Sequence, residues 1–332
     1  MKLEQAPCDL CGSTDVELVA TLPDPERIAP GEFDVVLCRH CGLQFVNPRP
    51  DKSAIGACYP VSYYAYSGHQ KTAQRPTLRK KIKAAIRSSR ALSTMASYLP
   101  GVCAAAIDTP FEEDFNYWMP SGAILEVGCG SGGVLDIMQN NGWRTVGIEP
   151  SSEAALLAQA NGHQIFVLGG DDEYPEGLTQ QCFDLIYLSH SLEHMHFPSR
   201  SLKNLGCLLK RSTGRMVIEV PNAESLLTYL FGEVTPIYDV PRHLYFFSPD
   251  TLSAMLKKAG YHIESMRVFS RPNQFVRCFK SNTRRFSFVP WQLKADKNIS
   301  SPEFLAAMKS LSKYAEQANL GAAIRVVVSR PD

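Results

Sequence analysis

The cysteines are the residues whose type and spacing speak first. Cys8-x-x-Cys11 and Cys38-x-x-Cys41 are each followed by glycine, at Gly12 and Gly42. A C-x-x-C-G turn aims two thiolates at one point, and two such knuckles make a closed tetrahedral zinc site. The 26 residues between the pairs leave room for a hairpin. Zinc in such a site contributes roughly 10–16 kcal/mol of apparent binding energy, which a fifty-residue segment with few large apolar residues needs. Four thiolates leave no open coordination position, so the expected metal is structural. A redox role would want a C-x-x-C pair opening a helix after a strand, and neither pair does.

A second constellation is Glu126-Val127-Gly128-Cys129-Gly130-Ser131-Gly132-Gly133, a glycine-rich join between an apolar run and a helical pattern. Glycine permits the tight turn and lets backbone amides approach a ligand. Glu149 follows about twenty residues on, where a carboxylate can accept both hydroxyls of a ribose. Gly128, Gly130 and Gly133 also satisfy G-x-G-x-x-G, so the loop alone leaves a nicotinamide dinucleotide, another nucleoside cofactor or an unliganded turn open. Glu126 bears on that choice, because its carboxylate would lie close to a pyrophosphate. A zwitterionic amino acid carrying a sulfonium tolerates it.

The third group is histidine. His190, His194 and His196 cluster after an apolar run at 183–188, and His243 stands in the segment Pro241-Arg242-His243-Leu244-Tyr245. Histidine titrates nearest neutrality and is the side chain best suited to general-base work. His194, with Glu193 beside it, is the candidate base and His243 the second. Each also reads as a hydrogen-bonded turn residue. The i, i+4 pair His190 and His194 could hold a metal, but Glu193 is the one carboxylate close to it in sequence.

These residues need a scaffold, and the pattern from 121 onward supplies one. Short apolar runs at Ala123–Val127, Arg144–Ile148, Gln164–Leu168, Phe183–Leu188 and Arg215–Val220 alternate with helical patterns at 133–140, 151–160 and 199–209. Ser248-Pro249-Asp250 opens a further helix with Pro in its first turn. Strands at 262–269 and 322–329 flank a helix near 302–318. Such alternation predicts an α/β fold, Rossmann-like and doubly wound, with a mostly parallel sheet covered on both faces. The expected organisation is a zinc-ribbon module at 1–50, a connecting region at 51–120 and a cofactor-binding domain at 121–332. The connecting region holds an aromatic stretch around Tyr63, Tyr64 and Tyr66. A basic segment at 71–90 follows, with Leu78, Ile82 and Ile86 near helical spacing.

Composition bounds the function. The chain has 332 residues with 34 Lys or Arg and 33 Asp or Glu, which argues against holding nucleic acid by bulk charge. Residues 71–90 carry eight of those bases and no acid. That segment reads as a solvated helix face, with peripheral contact to anionic lipid as the alternative. No apolar run is long enough for a membrane span, and the first residues hold no secretory h-region. Six cysteines outside the C-x-x-C pairs stand singly, as expected in a reducing cytoplasm.

Several of these segments, in order, resemble the class I methyltransferases that use S-adenosylmethionine (SAM). L-E-V-G-C-G-S-G looks like the family's first motif and I-E-P-S at 148–151 its second. F-D-L-I-Y-L-S-H-S-L-E-H at 183–194 and G-R-M-V-I-E-V-P-N at 214–222 resemble its fourth and fifth strands. The resemblance implies that Glu126, Gly128, Cys129, Gly130 and Gly132 pass the amino acid part of SAM and that Glu149 holds the ribose. Asp171 or Asp172 would meet the adenine amine, and Ser189 and His190 would line the pocket through their backbone. A zinc knuckle and tyrosines ahead of such a domain resemble the sugar methyltransferases of deoxysugar and surface-polysaccharide pathways. That implies a small-molecule acceptor such as a nucleotide-sugar, with Tyr63, Tyr66, Glu193 and His194 around it. C-methylating members carry a further carboxy-terminal domain, whereas this sequence stops soon after its last strand, so O-methylation stands equally. The competing classes are an RNA or protein methyltransferase gripping a macromolecule by its zinc module, and a non-catalytic zinc-ribbon interaction protein. Against the first stands S-H-S-L-E-H where an N-P-P-Y-type motif would hold a base.

Overall fold

The computed structural model describes residues 1–59, 121–282 and 301–330. Tyr63, Tyr64, Tyr66, the basic segment 71–90 and the connector up to 120 lie outside them.

The first fifty residues form strands β1 (Leu3–Glu4), β2 (Val16–Pro23), β3 (Glu32–Cys38), β4 (Gln44–Val46) and β5 (Arg49–Pro50). β2 and β3 make an antiparallel hairpin that fills the gap between the two cysteine pairs, and β4 adds to its edge. Residues Ile55–Cys58 then make a single 3-10 turn.

Seven strands build the larger sheet: β6 (Ala123–Val127), β7 (Arg144–Ile148), β8 (Gln164–Phe166), β9 (Leu185–Ser189), β10 (Arg215–Pro221), β12 (His262–Phe269) and β13 (Ala323–Ser329). Their order is β12-β13-β10-β9-β6-β7-β8. The pairs from β10 to β8 are parallel, and β13 alone runs against its neighbours. All five residues of β6 are buried, as a strand covered on both faces requires. The chain winds outward from β6 in both directions, so the switch point lies between β6 and β9, and ligands bind outside the carboxyl ends of strands there.

Helices α1 (Gly133–Asn140), α2 (Ser152–Ala160), α3 (Glu176–Thr179) and α4 (Pro198–Leu208) fill the crossovers between β6 and β10. Ser151 caps α2 by accepting from the Ala154 amide. Further on come α5 (Leu226–Phe231), α6 (Pro249–Lys258), α7 (Pro272–Asn282) and α8 (Pro302–Gln317). Ser248 and Thr251 form a reciprocal cap on α6.

Most expected elements are present, with local differences. The third strand stops at Phe166, because the Leu168 amide turns back to the Phe166 carbonyl. The fourth begins at Leu185. Ahead of it, Phe183 bridges to Leu209 and the Asp184 carboxylate accepts from the Ala123 amide. Helices α3, α5 and α7 have no counterpart in the sequence pattern. The largest difference is β11 (Tyr245–Phe246), read as loop, which pairs antiparallel with β4. The small sheet is therefore ordered β11-β4-β3-β2, with one strand from the far end of the chain. One apolar cluster accordingly runs from Cys8, Cys38 and Phe45 to Leu125, Ile186 and Ile218.

Candidate functional site

The glycine loop leaves β6 at the switch point. Gly128, Gly130 and Gly132 all take positive φ (77°, 53° and 84°), which an L side chain rarely adopts. At Gly128 the need is also steric, since a Cβ there would lie 2.9 Å from the Ser191 Cβ. That approach places the loop directly against the segment following β9. Cys129 is buried, and its sulfur occupies space that a side chain at Gly147 of β7 would claim.

Glu149, at the end of β7, closes the loop from below. One carboxylate oxygen accepts from the Gly130 amide and the other from the Ser151 amide, both at 2.8 Å. Each oxygen keeps a second lone pair, so two hydroxyls can be accepted without breaking either bond. Burial pushes the Glu149 carboxyl up. Burial and the nearby Glu149 charge raise Glu126 well above its ordinary value, and its Oε2 has no hydrogen-bond partner.

Asp171 and Asp172 meet the N-terminal module. Lys52 Nζ lies 3.1 Å from Asp171 Oδ1 and 2.9 Å from Asp172 Oδ1. Asp171 also accepts from the His196 amide, and Asp172 from the Gly169 amide.

Past β9 the chain turns through His190, a non-glycine residue at φ 52°, and into a short 3-10 turn at Leu192–His194. The His190 amide is held by the Glu219 carbonyl of β10, and its ring sits between two carboxylates. Nδ1 is 3.3 Å from Glu193 Oε1 and Nε2 is 3.6 Å from Glu219 Oε1. Burial opposes the imidazolium, but the two acids hold His190 up at about 9. Glu219 is wholly buried and meets Arg325 at 2.7 Å and Arg271 at 3.0 Å. Burial opposes its charge too, yet His190, Arg271 and Arg325 hold it at about 2.

Glu193 is wholly buried as well. Burial works against its charge, but the surrounding His190, His194 and His243 keep its carboxyl below the usual range. His194 and His243 meet edge to face, with ring centroids 4.8 Å apart. Burial and His243 push His194 down to about 4, so its imidazole is neutral at physiological pH. A carbonyl can only accept, so the contact of His194 Nδ1 with Arg242 O at 2.9 Å fixes the proton on Nδ1. Tyr59 Oη lies 3.0 Å from the same nitrogen. His243 Nδ1 likewise donates to Ile237 O at 2.8 Å. With Nδ1 of the neutral His194 so engaged, its Nε2 is left as the lone-pair atom.

Among the described residues, five buried side-chain atoms lack a hydrogen-bond partner. Four of them, Glu126 Oε2, Ser191 Oγ and both oxygens of Glu193, belong to the glycine-loop strand and the turn packed against it. Buried polar groups are almost always paired, so unpaired ones grouped on these two segments point to a polar ligand. The fit to SAM is good on that ground. An unpartnered acid beside the glycine loop suits a cationic amino acid, and the Glu149 oxygens suit ribose hydroxyls.

The cysteine quartet also converges. Cys8 Sγ is 3.4 Å from Cys41 Sγ, and Cys11 Sγ is 3.4 Å from Cys38 Sγ. All four sulfurs lie within 4.8 Å of one another. Tetrahedral Zn–S bonds of about 2.3 Å put sulfurs just under ~4 Å apart, so four thiolates so placed fit zinc. Gly12 and Gly42 turn the two knuckles alike, each amide bonding to the carbonyl of its first cysteine.

Sequence reasoning overlooked the charges that brace the site: Lys52, Glu219, Arg271, Arg325 and Arg242. Wholly buried Arg242 joins Asp24 of the small module, Asp239 and the Cys58 carbonyl. One signal was available for Glu219, a lone acid inside the apolar run Val217-Ile218-Glu219-Val220.

A family profile described as a methyltransferase domain matches residues 95–266, just over half of the chain. The chain belongs to this methyltransferase-domain family, and its larger domain has the Rossmann-like fold of SAM-dependent methyltransferases. Among curated relatives, an uncharacterized methyltransferase of Schizosaccharomyces pombe is 27% identical over 169 residues, 46% of this chain and 64% of the relative. A ubiquinone biosynthesis O-methyltransferase of Aeromonas salmonicida is 28% identical over 153 residues, 43% of this chain and 64% of the relative. The matches thus span less than two thirds of either relative. A SAM-dependent methyltransferase from Archaeoglobus fulgidus aligns over 76% of this chain and 94% of its own, at 18% identity and a TM-score of 0.45. One from Mesorhizobium loti aligns over 66% and 97%, at 17% identity and a TM-score of 0.44. No described helix is long and apolar enough to cross a membrane.

Proposed function

We propose that the protein transfers a methyl group from SAM to a small-molecule acceptor, a sugar or nucleotide-sugar, with the acceptor lying against Glu193, His194 and His243. SAM supplies an electrophilic methyl on a sulfonium, and the protein's part is alignment and management of the acceptor's proton. The observation that carries the reading is the run of unpartnered buried atoms from Glu126 through Ser191 to Glu193. Glu193 in turn adjoins His194 and His243, so a donor on the glycine loop and an acceptor at the histidines would be held side by side. In this reading Gly128, Gly130 and Gly132 pass the amino acid part of SAM, Glu149 binds ribose, and Asp171 or Asp172 faces the adenine side. Ser189 and His190 line the pocket through their backbone. Tyr63 and Tyr66 contact the acceptor, and Cys8, Cys11, Cys38 and Cys41 hold a structural zinc. Single free thiols suit work in a reducing cytoplasm.

A screen of nucleotide-sugars and polyols with methyl-labelled SAM tests the acceptor class; transfer to none of them but to RNA or protein would overturn it. Removal of the His194 side chain should cost about 10²-fold or more in turnover while SAM affinity stays within about twofold. A His194→Ala variant with unchanged turnover would remove that residue from the chemistry.

A further inference from the structure

Glu193, His194 and His243 present an arrangement that methyl transfer does not by itself require. One carboxylate oxygen of Glu193 and one ring nitrogen from each histidine lie within 4.8 Å of one another, beneath the surface at the carboxyl edge of the sheet. Nδ1 of both histidines is committed to a backbone carbonyl, Arg242 O in one case and Ile237 O in the other. Those contacts leave Nε2 of each ring outside the carbonyl bonds. The Glu193 carboxylate, also an electron-pair donor, has no hydrogen-bond donor on either oxygen. His190 Nδ1 forms an ion pair with one of them at 3.3 Å. Three side chains able to coordinate a cation therefore lie within reach of one ion. His190 offsets part of the Glu193 charge, but both carboxylate oxygens lack a hydrogen bond, a shortfall that a bound cation would fill.

We propose that Glu193, His194 and His243 bind a divalent first-row transition-metal cation, a second metal site separate from the four cysteines. Two imidazoles and one carboxylate suit manganese, iron, cobalt or zinc, and three protein ligands leave coordination positions open. Metal–ligand bonds of about 2.0–2.2 Å need donor atoms roughly 3–4 Å apart, which a small inward movement of these side chains supplies. The carbonyl bonds at Nδ1 are the outer contacts that fix the tautomer and aim of ligating histidines. The open positions would take oxygen atoms of the acceptor, two adjacent hydroxyls or a hydroxyl beside a carbonyl. That last step rests on the acceptor placement proposed above; cation binding does not. In this arrangement the cation, rather than a proton, meets the His194 lone pair, so loss of turnover in His194→Ala is expected here too.

The test uses the full-length, zinc-loaded protein titrated with Mn²⁺ and followed by electron paramagnetic resonance, with Co²⁺ absorption as the second probe. Neither hard Mn²⁺ nor a stoichiometric amount of Co²⁺ should empty a four-thiolate zinc site on the timescale of the titration, and zinc content is measured alongside. The expected result is one additional cation per chain in the wild type. Glu193→Gln and His243→Gln should each weaken its binding at least tenfold while zinc content and circular dichroism stay as in the wild type. If neither ion binds beyond the cysteine zinc, or if both folded variants bind it as the wild type does, the proposal fails. If both variants misfold, the wild-type titration decides alone. SAM calorimetry on the same preparations separates the two readings. SAM bound without a second cation would sink this site and leave the methyltransferase reading standing, and a cation bound without SAM would do the reverse.

Discussion

Glu126 and Glu149 stand close together under the glycine loop, and their environments set what the loop can hold. Both carboxyls are pushed up by burial, and Glu126 is raised further by Glu149. A cationic ligand would relieve both effects, because an opposite charge favours the ionised acid. Binding of SAM should therefore release a proton, with affinity increasing as pH rises from Glu126's ordinary value toward its raised one. Calorimetry in buffers of different ionisation enthalpy reads this directly. Proton uptake, or none, would show that Glu126 does not face the cation. At this scale the sequence displayed the candidate ligand-binding residues and was silent about those that brace them. Cys8, Cys11, Cys38, Cys41 and the glycines declare themselves because their spacing is local. Lys52 and Arg242 do not, since their partners Asp171 and Asp24 lie 119 and 218 residues away.

Between β10 and β13 the register sets Glu219 opposite Arg325, and Arg271 and His190 complete the cluster. This pairing fixes the turn after β9 that carries Glu193 and His194. Removing one partner of a buried ion pair typically costs about 3–5 kcal/mol, so Glu219→Ala should lose stability of that order in denaturant unfolding. A loss under about 1 kcal/mol would mean the cluster is not structurally coupled. The pH dependence has two arms. Glu219 is depressed from 4.5 to about 2, so its contribution is present above pH 4.5 and is lost as pH falls toward 2. His190 is raised from 6.5 to about 9, so its contribution is full below pH 6.5 and is lost as pH rises through 9. Elements of the parallel sheet were legible because strands buried on both faces read as continuous apolar runs. Helix α7 was not, because its only opening signal is Pro272 and its sequence lacks an acidic first turn. The two-residue strand β11 is too short to carry a period at all.

Seen whole, the molecule is not a tag followed by an enzyme. β11 from residue 245 completes the small sheet, and Arg49 of β5 bonds to both the His196 carbonyl and the Tyr245 hydroxyl. The loop between β11 and the cis-proline ahead of it carries His243, so the cysteine knuckles support the His243 side of the site through a shared sheet. A boundary at residue 50 is visible in composition, whereas this interlock joins segments far apart in sequence and leaves no local pattern. With zinc on the four cysteines, as proposed, chelation should therefore lower the melting temperature of the entire molecule by about 10 °C or more. A melting transition of the large domain that ignored chelation would show two independent units.

All of these expectations presuppose that the bend at Gly128, Gly130 and Gly132 admits SAM with its ribose on Glu149. Titration of the purified protein with SAM by calorimetry tests this most directly. One SAM per chain is predicted, with binding at least ~10-fold weaker in Glu149→Ala, as loss of hydrogen bonds to a charged group implies. Absence of SAM binding, preference for a nicotinamide dinucleotide, or undiminished affinity in Glu149→Ala would contradict the account.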